Sequence, residues 1–479
     1  MYGRKQPPGG AKAQMFYLSY PVTNLRPAAY NPRTIDDVAF AALRRSVAAL
    51  GMVKPIIIGP DGTVIAGHQR LKALQANGGD TAPVYQLATV GAADEIRFNQ
   101  LHNGTDLDTG DEDVTVPAMP GVTGYYDVAA DDVGGDGHAR GAPIRAEIAR
   151  LLIRYGPWGG IVATQSGACL SGAQYALSCR VLGMPVRTYY LPDAISVSAQ
   201  GYLRAAYGQF DYGHLARETY IQTFAQPSRN NPYHTLTKNN PSWVKYVEPE
   251  WKPGETILDF GSGMGVYPAY LAEHRPEIPV VSIEFFRRVV GSELLDTHAT
   301  YAMADQLFTH LREHGRFDTI ICDWVINSVD SQEAEAAVLA TCAAMLKPGG
   351  RIWLTGRQRE WAEQIRDGRT YTSNRRGVEF CDANGLSALM FQSRWFYQKF
   401  HRQGEIEALA RHYFGGPMSY TPVTDRWRMR IEKAHELPWA EVERALRFEF
   451  NLPWPGGRTV GLGQQAVDAL RAALQREGS

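Results

Sequence analysis

The stretch Glu255-Thr-Ile-Leu-Asp259-Phe-Gly261-Ser-Gly263-Met-Gly265 sets an acid and three alternating glycines at the end of a short apolar run. Glycine suits a backbone that turns sharply and lets a ligand come close. A helical pattern, Val266 to His274, follows. A second apolar run, Val280-Val281-Ser282-Ile283, then ends in Glu284, whose carboxylate can accept bonds from both hydroxyls of a ribose. Strand, glycine loop, helix, strand, acid is the order of a nucleoside-binding α/β half. Dinucleotide folds use G-x-G-x-x-G to seat a pyrophosphate. Here the spacing is G-x-G-x-G with Asp259 two residues ahead, which suits a ligand that carries an ammonium and no phosphate.

Three further features accompany the loop: Glu284, the strand Phe317–Asp323, and the turn Leu346-Lys347-Pro348-Gly349-Gly350 before the strand Arg351–Leu354. Together they resemble motif I and the following elements of class I methyltransferases. The resemblance implies a Rossmann-like domain with S-adenosylmethionine as cofactor. Asp259 and the amides of Gly261, Gly263 and Gly265 would hold the methionyl end, Glu284 the ribose, and Asp305 the adenine amino group. Methyl transfer from a sulfonium is an in-line displacement, so positioning supplies most of the gain. Asp323 and Asn327 lie at the end of the fourth strand and are the candidates for orienting the acceptor; helix capping is the other reading of Asn327 and Asp330.

Lys238…Pro241-Ser242, Asp323-Trp-Val-Ile326-Asn327-Ser-Val-Asp330 and Gln398-Lys399…Gln403…Glu405 resemble a methyltransferase family found beside DNA phosphorothioation genes. That resemblance spans roughly residues 230 to 415 and implies a role in DNA modification, with the acceptor undefined. Arg369, Arg375 and Arg376 interleave with Tyr371, and Arg394, Trp395 and Lys399 follow. Such a stretch can grip a nucleic-acid strand by phosphate contacts and stacking, or be a solvated loop. Asn231-Pro232-Tyr233 reads as a turn.

Nearer the N-terminus, Val64-Ile65-Ala66 runs into Gly67-His68-Gln69-Arg70 and a helix. Backbone amides and a guanidinium at a strand-to-helix junction suit phosphate. With Asn31-Pro32-Arg33, the helix ending at Leu50-Gly51 and the strand at Pro55, this segment resembles the ParB-like N-terminal domain, which shares its fold with sulfiredoxin. His68 stands where sulfiredoxins carry cysteine. The resemblance implies nucleotide or DNA-phosphate binding by Arg33, Gly67, His68 and Arg70, with a nucleoside triphosphate as a possible ligand; in the other reading Arg70 only caps the fold.

A chain of 479 residues is long for one core. Its net charge of −1 gives no global pull toward nucleic acid. Five dispersed cysteines without a C-x-x-C pair point to a reducing compartment, hence the cytoplasm, and to no metal site. No apolar run approaches a membrane span. The expected architecture is α/β multidomain: a flexible tail over 1–14, a ParB/sulfiredoxin-like α+β domain over 15–105, linker and loops over 106–140, a small α/β module over 141–230, a Rossmann-like class I methyltransferase domain over 231–425, and a helical extension over 426–479 with Trp427–Lys433 as its first helix. DNA is the expected partner, and a homodimer is possible. The rival functions are a transferase adding a group larger than methyl to a DNA base, and a non-catalytic nucleotide- or DNA-binding protein.

Overall fold

Asp36 caps the first helix by accepting from the Ala39 amide (2.8 Å), and Gly51 closes it in the left-handed region. Caps and turns of this kind recur through a computed structural model that describes residues 15–28, 33–102, 113–137, 141–203, 209–210, 212, 247–290, 292, 294–363, 381–391, 394–423 and 426–478. The chain divides into two compact units, residues 1–215 with 363–383, and residues 216–362 with 384–479.

The first unit holds β1 (Met15–Pro21), β2 (Arg26–Pro27), β3 (Arg33–Thr34), α1 (Asp37–Leu50), β4 (Ile56–Ile58), β5 (Thr63–Ala66), α2 (His68–Ala76), β6 (Thr81–Gln86) and α3 (Ala92–His102). It continues with β7 (Gly124–Val128), α4 (Ala142–Tyr155), β8 (Ile161–Thr164), β9 (Cys169–Ser171), α5 (Ala173–Val181), β10 (Val186–Leu191), α6 (Ser196–Leu203) and β11 (Gln209–Phe210). One sheet runs β1-β6-β4-β5-β2, a second β7-β10-β8-β9, and β11 pairs with β3. The expected linker is in part structural. Val114, Val116, Val128 and Val133 are buried in one core with Ile57, Phe98, Ile148 and Trp158, so these valines carry an apolar load that a solvated linker would not.

The second unit opens with β12 (Ile257–Phe260), α7 (Val266–His274), β13 (Val280–Ile283), α8 (Thr297–His314), β14 (Phe317–Asp323), α9 (Gln332–Met345) and β15 (Leu346–Gln358). There follow α10 (Arg359–Glu363), β16 (Leu386–Phe391), β17 (Arg394–His401), α11 (Gln403–Tyr413), β18 (Gly415–Val423), β19 (Arg426–Lys433), α12 (Trp439–Glu449), β20 (Pro453–Trp454), β21 (Arg458–Thr459) and α13 (Gly463–Glu477). Strands β13-β12-β14-β15 are parallel, and helices supply the crossovers that parallel neighbours need. β19 lies antiparallel to β15, and β18 antiparallel to β19. β17 runs parallel to the last residues of β15 and pairs with β16.

The helix expected over Trp427–Lys433 is strand β19. Trp427, Met429, Ile431 and Lys433 are buried, and the residues between them are half-exposed. That alternation has period two, the period of a sheet with two unlike faces. The C-terminal helices are no appendix to the core. Leu446, Phe450, Val467 and Leu470 are buried with Leu258, Ile320 and Leu354 in one cluster.

Candidate active site

The chain leaves β12, forms β13 on one side of it, then crosses to form β14 on the other. Ligand crevices in open α/β sheets open at such reversals, beyond the carboxyl ends of the strands. Asp259 sits at this end of β12, in register with Ser282 and Ile321, and is buried. Gly261, Gly263 and Gly265 follow, all at positive φ (75°, 61° and 69°). The loop needs glycine there for backbone conformation. Gly261 needs it for space too, since a Cβ would lie 2.4 Å from Val325 Cγ2. Gly265 begins α7, whose first amides face the loop.

Glu284 is bound to this loop. Its Oε2 accepts from the Gly263 amide and its Oε1 from the Phe286 amide, each at 2.8 Å. The Ser262 hydroxyl is buried and has no hydrogen-bond partner among the described residues. The Glu284 carboxylate bonded to the loop, the orphaned Ser262 hydroxyl and a left-handed glycine cradle together fit the adenosine and methionyl groups of adenosylmethionine. Tyr267, on the first turn of α7, has its phenol pushed up by burial and then by the charges of Glu248 and Asp259.

Across the reversal, Asp323 ends β14 and accepts from the Thr355 hydroxyl, which also accepts from the Trp324 amide at 3.0 Å. Trp324 has φ 62°, and among the described residues it alone reaches positive φ without being glycine. Such backbone strain in a bulky residue concentrates at functional sites. Its ring lies 5.7 Å from the Arg357 guanidinium and 5.8 Å from that of Arg426, a directly paired residue of the neighbouring strand. The sequence reading passed over Trp324. The available signal was its place, an aromatic directly after the acid that ends the fourth strand. Asn327 is buried in a short 3-10 turn, its Nδ2 donating to Ser328 Oγ at 3.5 Å, while its Oδ1 has no partner among the described residues.

Two expectations are corrected. Asp305 lies in the middle of α8, exposed, on the face opposite Met303, Ala304, Leu307 and Phe308. It is in a helix and not in the loop expected before the fourth strand. Lys399 is 1% exposed. Its Nζ donates to Glu405 (2.6 Å) and to the Asn384 carbonyl, with Glu335 at 3.8 Å. Burial raises the Glu335 carboxyl, but the neighbouring His401 and Lys399 outweigh it and hold it below the usual range. Lys399 is thus part of a buried ion network and offers no charge to a phosphate. Arg375 and Arg376 lie outside the described residues.

In the first unit, Gly67 (φ 107°) begins α2. His68 is buried; its Nε2 accepts from the Ala28 amide at 3.2 Å, and burial followed by the charge of Lys72 pushes the ring down to about 4. The ring is therefore neutral at pH 7. Arg70 is buried and donates to the Lys54 carbonyl at 2.6 Å. Of its two readings, that bond favours the fold-capping one. Arg33 lies on β3, with only its backbone described. Among the described residues no helix is long and apolar enough to cross a membrane.

Residues 233–394 match the family model of the methyltransferase domain, and residues 11–98 that of the ParB N-terminal domain. The chain is similar to a ribosomal protein L11 methyltransferase of Burkholderia ambifaria (strain MC40-6), 29% identical over 122 residues, covering 26% of this chain and 38% of that protein. It spans well under half of that relative's length. Among solved structures it is similar to an S-adenosylmethionine-dependent methyltransferase from Clostridium acetobutylicum ATCC 824, 13% identical, covering 42% of this chain and 96% of the other at a TM-score of 0.28. It is also similar to a glycopeptide N-methyltransferase complexed with S-adenosylhomocysteine, 12% identical, covering 40% and 87% at a TM-score of 0.27. Two segments of the chain thus match family models, one of the ParB N-terminal domain and one of a methyltransferase domain.

Proposed function

We propose that the protein is an adenosylmethionine-dependent methyltransferase acting in DNA modification. The observation that carries the cofactor assignment is the left-handed glycine loop at the sheet's reversal, with Glu284 bonded to it. The cofactor, when bound, supplies a methyl group on a sulfonium. Asp259 would pair the ammonium of its methionyl end, the loop amides would orient its carboxylate, and Glu284 would hold the ribose. Asp323 and the Trp324 backbone, fixed through Thr355, shape the acceptor side.

The acceptor reading rests on Trp324, whose ring has two guanidiniums at 5.7 and 5.8 Å. A flat ring stacks on a base, and cations beside it meet phosphate. Asn327, with its free Oδ1, is placed to orient the acceptor's exocyclic nitrogen. The ParB-like domain would bring nucleic-acid phosphate or a nucleotide to the start of α2, through the Gly67 loop backbone and His68.

Two measurements test this. Titration calorimetry with adenosylmethionine should show binding by the wild type and none by Asp259→Ala or Glu284→Ala; undiminished binding in both variants rejects the cofactor site. Mass spectrometry of nucleosides from cells with and without the protein should show a gain of one methyl. A heavier adduct would favour the larger-group transferase, and no adduct the binding protein.

A further inference from the structure

The second sheet of the first unit repeats the first. Gly51, Gly62, Gly67 and Gly78 have φ of 71°, 84°, 107° and 79°; Gly156, Gly167, Gly172 and Gly183 have 72°, 94°, 95° and 65°. Each number in the second set is the first plus 105. The same interval carries α1 onto α4, α2 onto α5 and β6 onto β10 without a gap at either end. Strand order agrees too, β1-β6-β4-β5 against β7-β10-β8-β9, and the pairings are antiparallel, parallel, antiparallel in both. The hairpin turns match bond for bond: Gly59 N donates to Thr63 O at 2.8 Å, and Thr164 N to Ala168 O at 2.9 Å.

The two repeats meet face to face. α3 packs on α4, and α6 on α1. Since α4 corresponds to α1 and α6 follows β10 as α3 follows β6, each contact is the mirror assignment of the other. Phe98 lies in one core with Tyr155 and Trp158; Leu203, its counterpart, lies with Leu50 and Val53, theirs. Contacts of the type i-to-j and j-to-i define a twofold interface, and a head-to-tail stack would give only one of them.

What differs is charge. Lys54, His68, Arg70 and Lys72 of the first repeat correspond to Gly159, Ala173, Tyr175 and Leu177. Where Arg70 donates to the Lys54 carbonyl, the Tyr175 hydroxyl accepts from the Trp158 and Gly159 amides at 3.0 Å each. The hydroxyl thereby occupies two backbone donors just before β8, at the positions of Val53 and Lys54 in the first repeat.

We infer that residues 113–203 are a second, diverged copy of the fold of residues 15–102, docked on the first across a pseudo-twofold face as a non-binding partner, so that the pair takes one phosphate-bearing ligand, at the first copy. The single-site half rests on the phosphate reading of the Gly67 loop proposed above; the duplication half does not.

The test uses the full chain. Hydrogen exchange is followed in Phe98→Ala and Leu203→Ala. The first should speed exchange across 142–164 and the second across 37–58, each by about tenfold or more, since opening one copy's face exposes the other's. Acceleration confined to the copy bearing the substitution overturns the duplication half. A labelled nucleoside triphosphate and a short DNA duplex are then titrated onto the protein, to separate nucleotide from nucleic-acid phosphate. One equivalent is expected, weakened about tenfold or more by His68→Gln, and within about twofold of wild type in Tyr175→Phe and Ala173→Ser. Two equivalents, or equal losses from both copies, overturn the single-site half. Failure of the wild type to bind either probe overturns that half together with the phosphate reading, while reciprocal exchange would still uphold the duplication.

Discussion

Replacing Glu449 by glutamine should stabilise the protein in a strongly pH-dependent way. Glu449 ends α12, is 1% exposed, and its Oε2 has no hydrogen-bond partner among the described residues. Burial, then the charge of Glu284, push its carboxyl up from 4.5 to about 8. Between those values the folded protein keeps a proton that the unfolded chain has released. Its contribution is thus whole below pH 4.5 and is lost as pH rises to 8. The slope is about 1.4 kcal/mol per pH unit, so the loss is roughly 3 kcal/mol at pH 7 and roughly 5 above pH 8. Glutamine keeps the shape and does not titrate. Glu449→Gln and wild type should therefore match near pH 5 and diverge upward, by roughly 6–12 °C in Tm at pH 7 for a unit of this size. Thermal melts of both proteins from pH 5 to 9 give the difference, in which other titrating groups cancel. A difference that stays flat with pH, or that turns against the variant at high pH, refutes the reasoning.

Gly261→Ala sets a Cβ 2.4 Å from Val325 at a left-handed position; overpacking of about 1–3 kcal/mol and displacement of the loop should weaken adenosylmethionine more than tenfold by calorimetry, whereas Gly254→Ala, also left-handed but with open space around it, should not. Lys399→Met strands Glu405 beside a buried network and should cost about 3–5 kcal/mol in urea unfolding, while DNA affinity at low temperature stays that of wild type; a selective loss of DNA binding would restore Lys399 as a nucleic-acid contact. Trp324→Gly relieves a strained φ of 62° and should leave stability within about 1 kcal/mol of wild type, yet raise the acceptor KM by removing the ring near Arg357 and Arg426. An unchanged KM would detach this residue from the acceptor.

Local signals were legible where they repeat a rule. The loop from Asp259 to Gly265 declares itself because left-handed backbone leaves little choice but glycine, and α7, β13 and β14 span the residues the patterns gave. Lys399 and Asp305 misled because charge in a sequence carries no depth. Lys399 is a buried cation whose acids, Glu335 and Glu405, lie on other elements. Asp305 faces solvent because the apolar stripe of α8 turns the other way. The repeat in the first unit escaped because its charged residues changed while its glycines and apolar pattern stayed. Motif reading looks first at what can do chemistry, and in the second copy that chemistry is gone. Trp427–Lys433 failed through a misjudged period, since Trp, Met and Ile at alternate positions fit a strand better than a helix turn.

The position of Glu284 depends on chain far from it. Glu284 is followed by Phe285, whose carbonyl accepts from the Trp454 indole at 2.9 Å and whose ring packs edge-on against Phe450 at 5.0 Å. The hydroxyl of Thr300, in α8, donates to the Glu284 carbonyl at 2.9 Å. The backbone on both sides of the carboxylate is therefore fixed by residues outside the glycine loop, two of them in the C-terminal segment. Glu449 adds a neutral carboxyl beside Glu284, where a second charge would oppose the first. On the proposed reading, an acid that accepts from ribose hydroxyls must be held still. Phe450 and Trp454, in the chain between the two C-terminal helices, supply that rigidity, so on the proposed reading this segment supports the cofactor site.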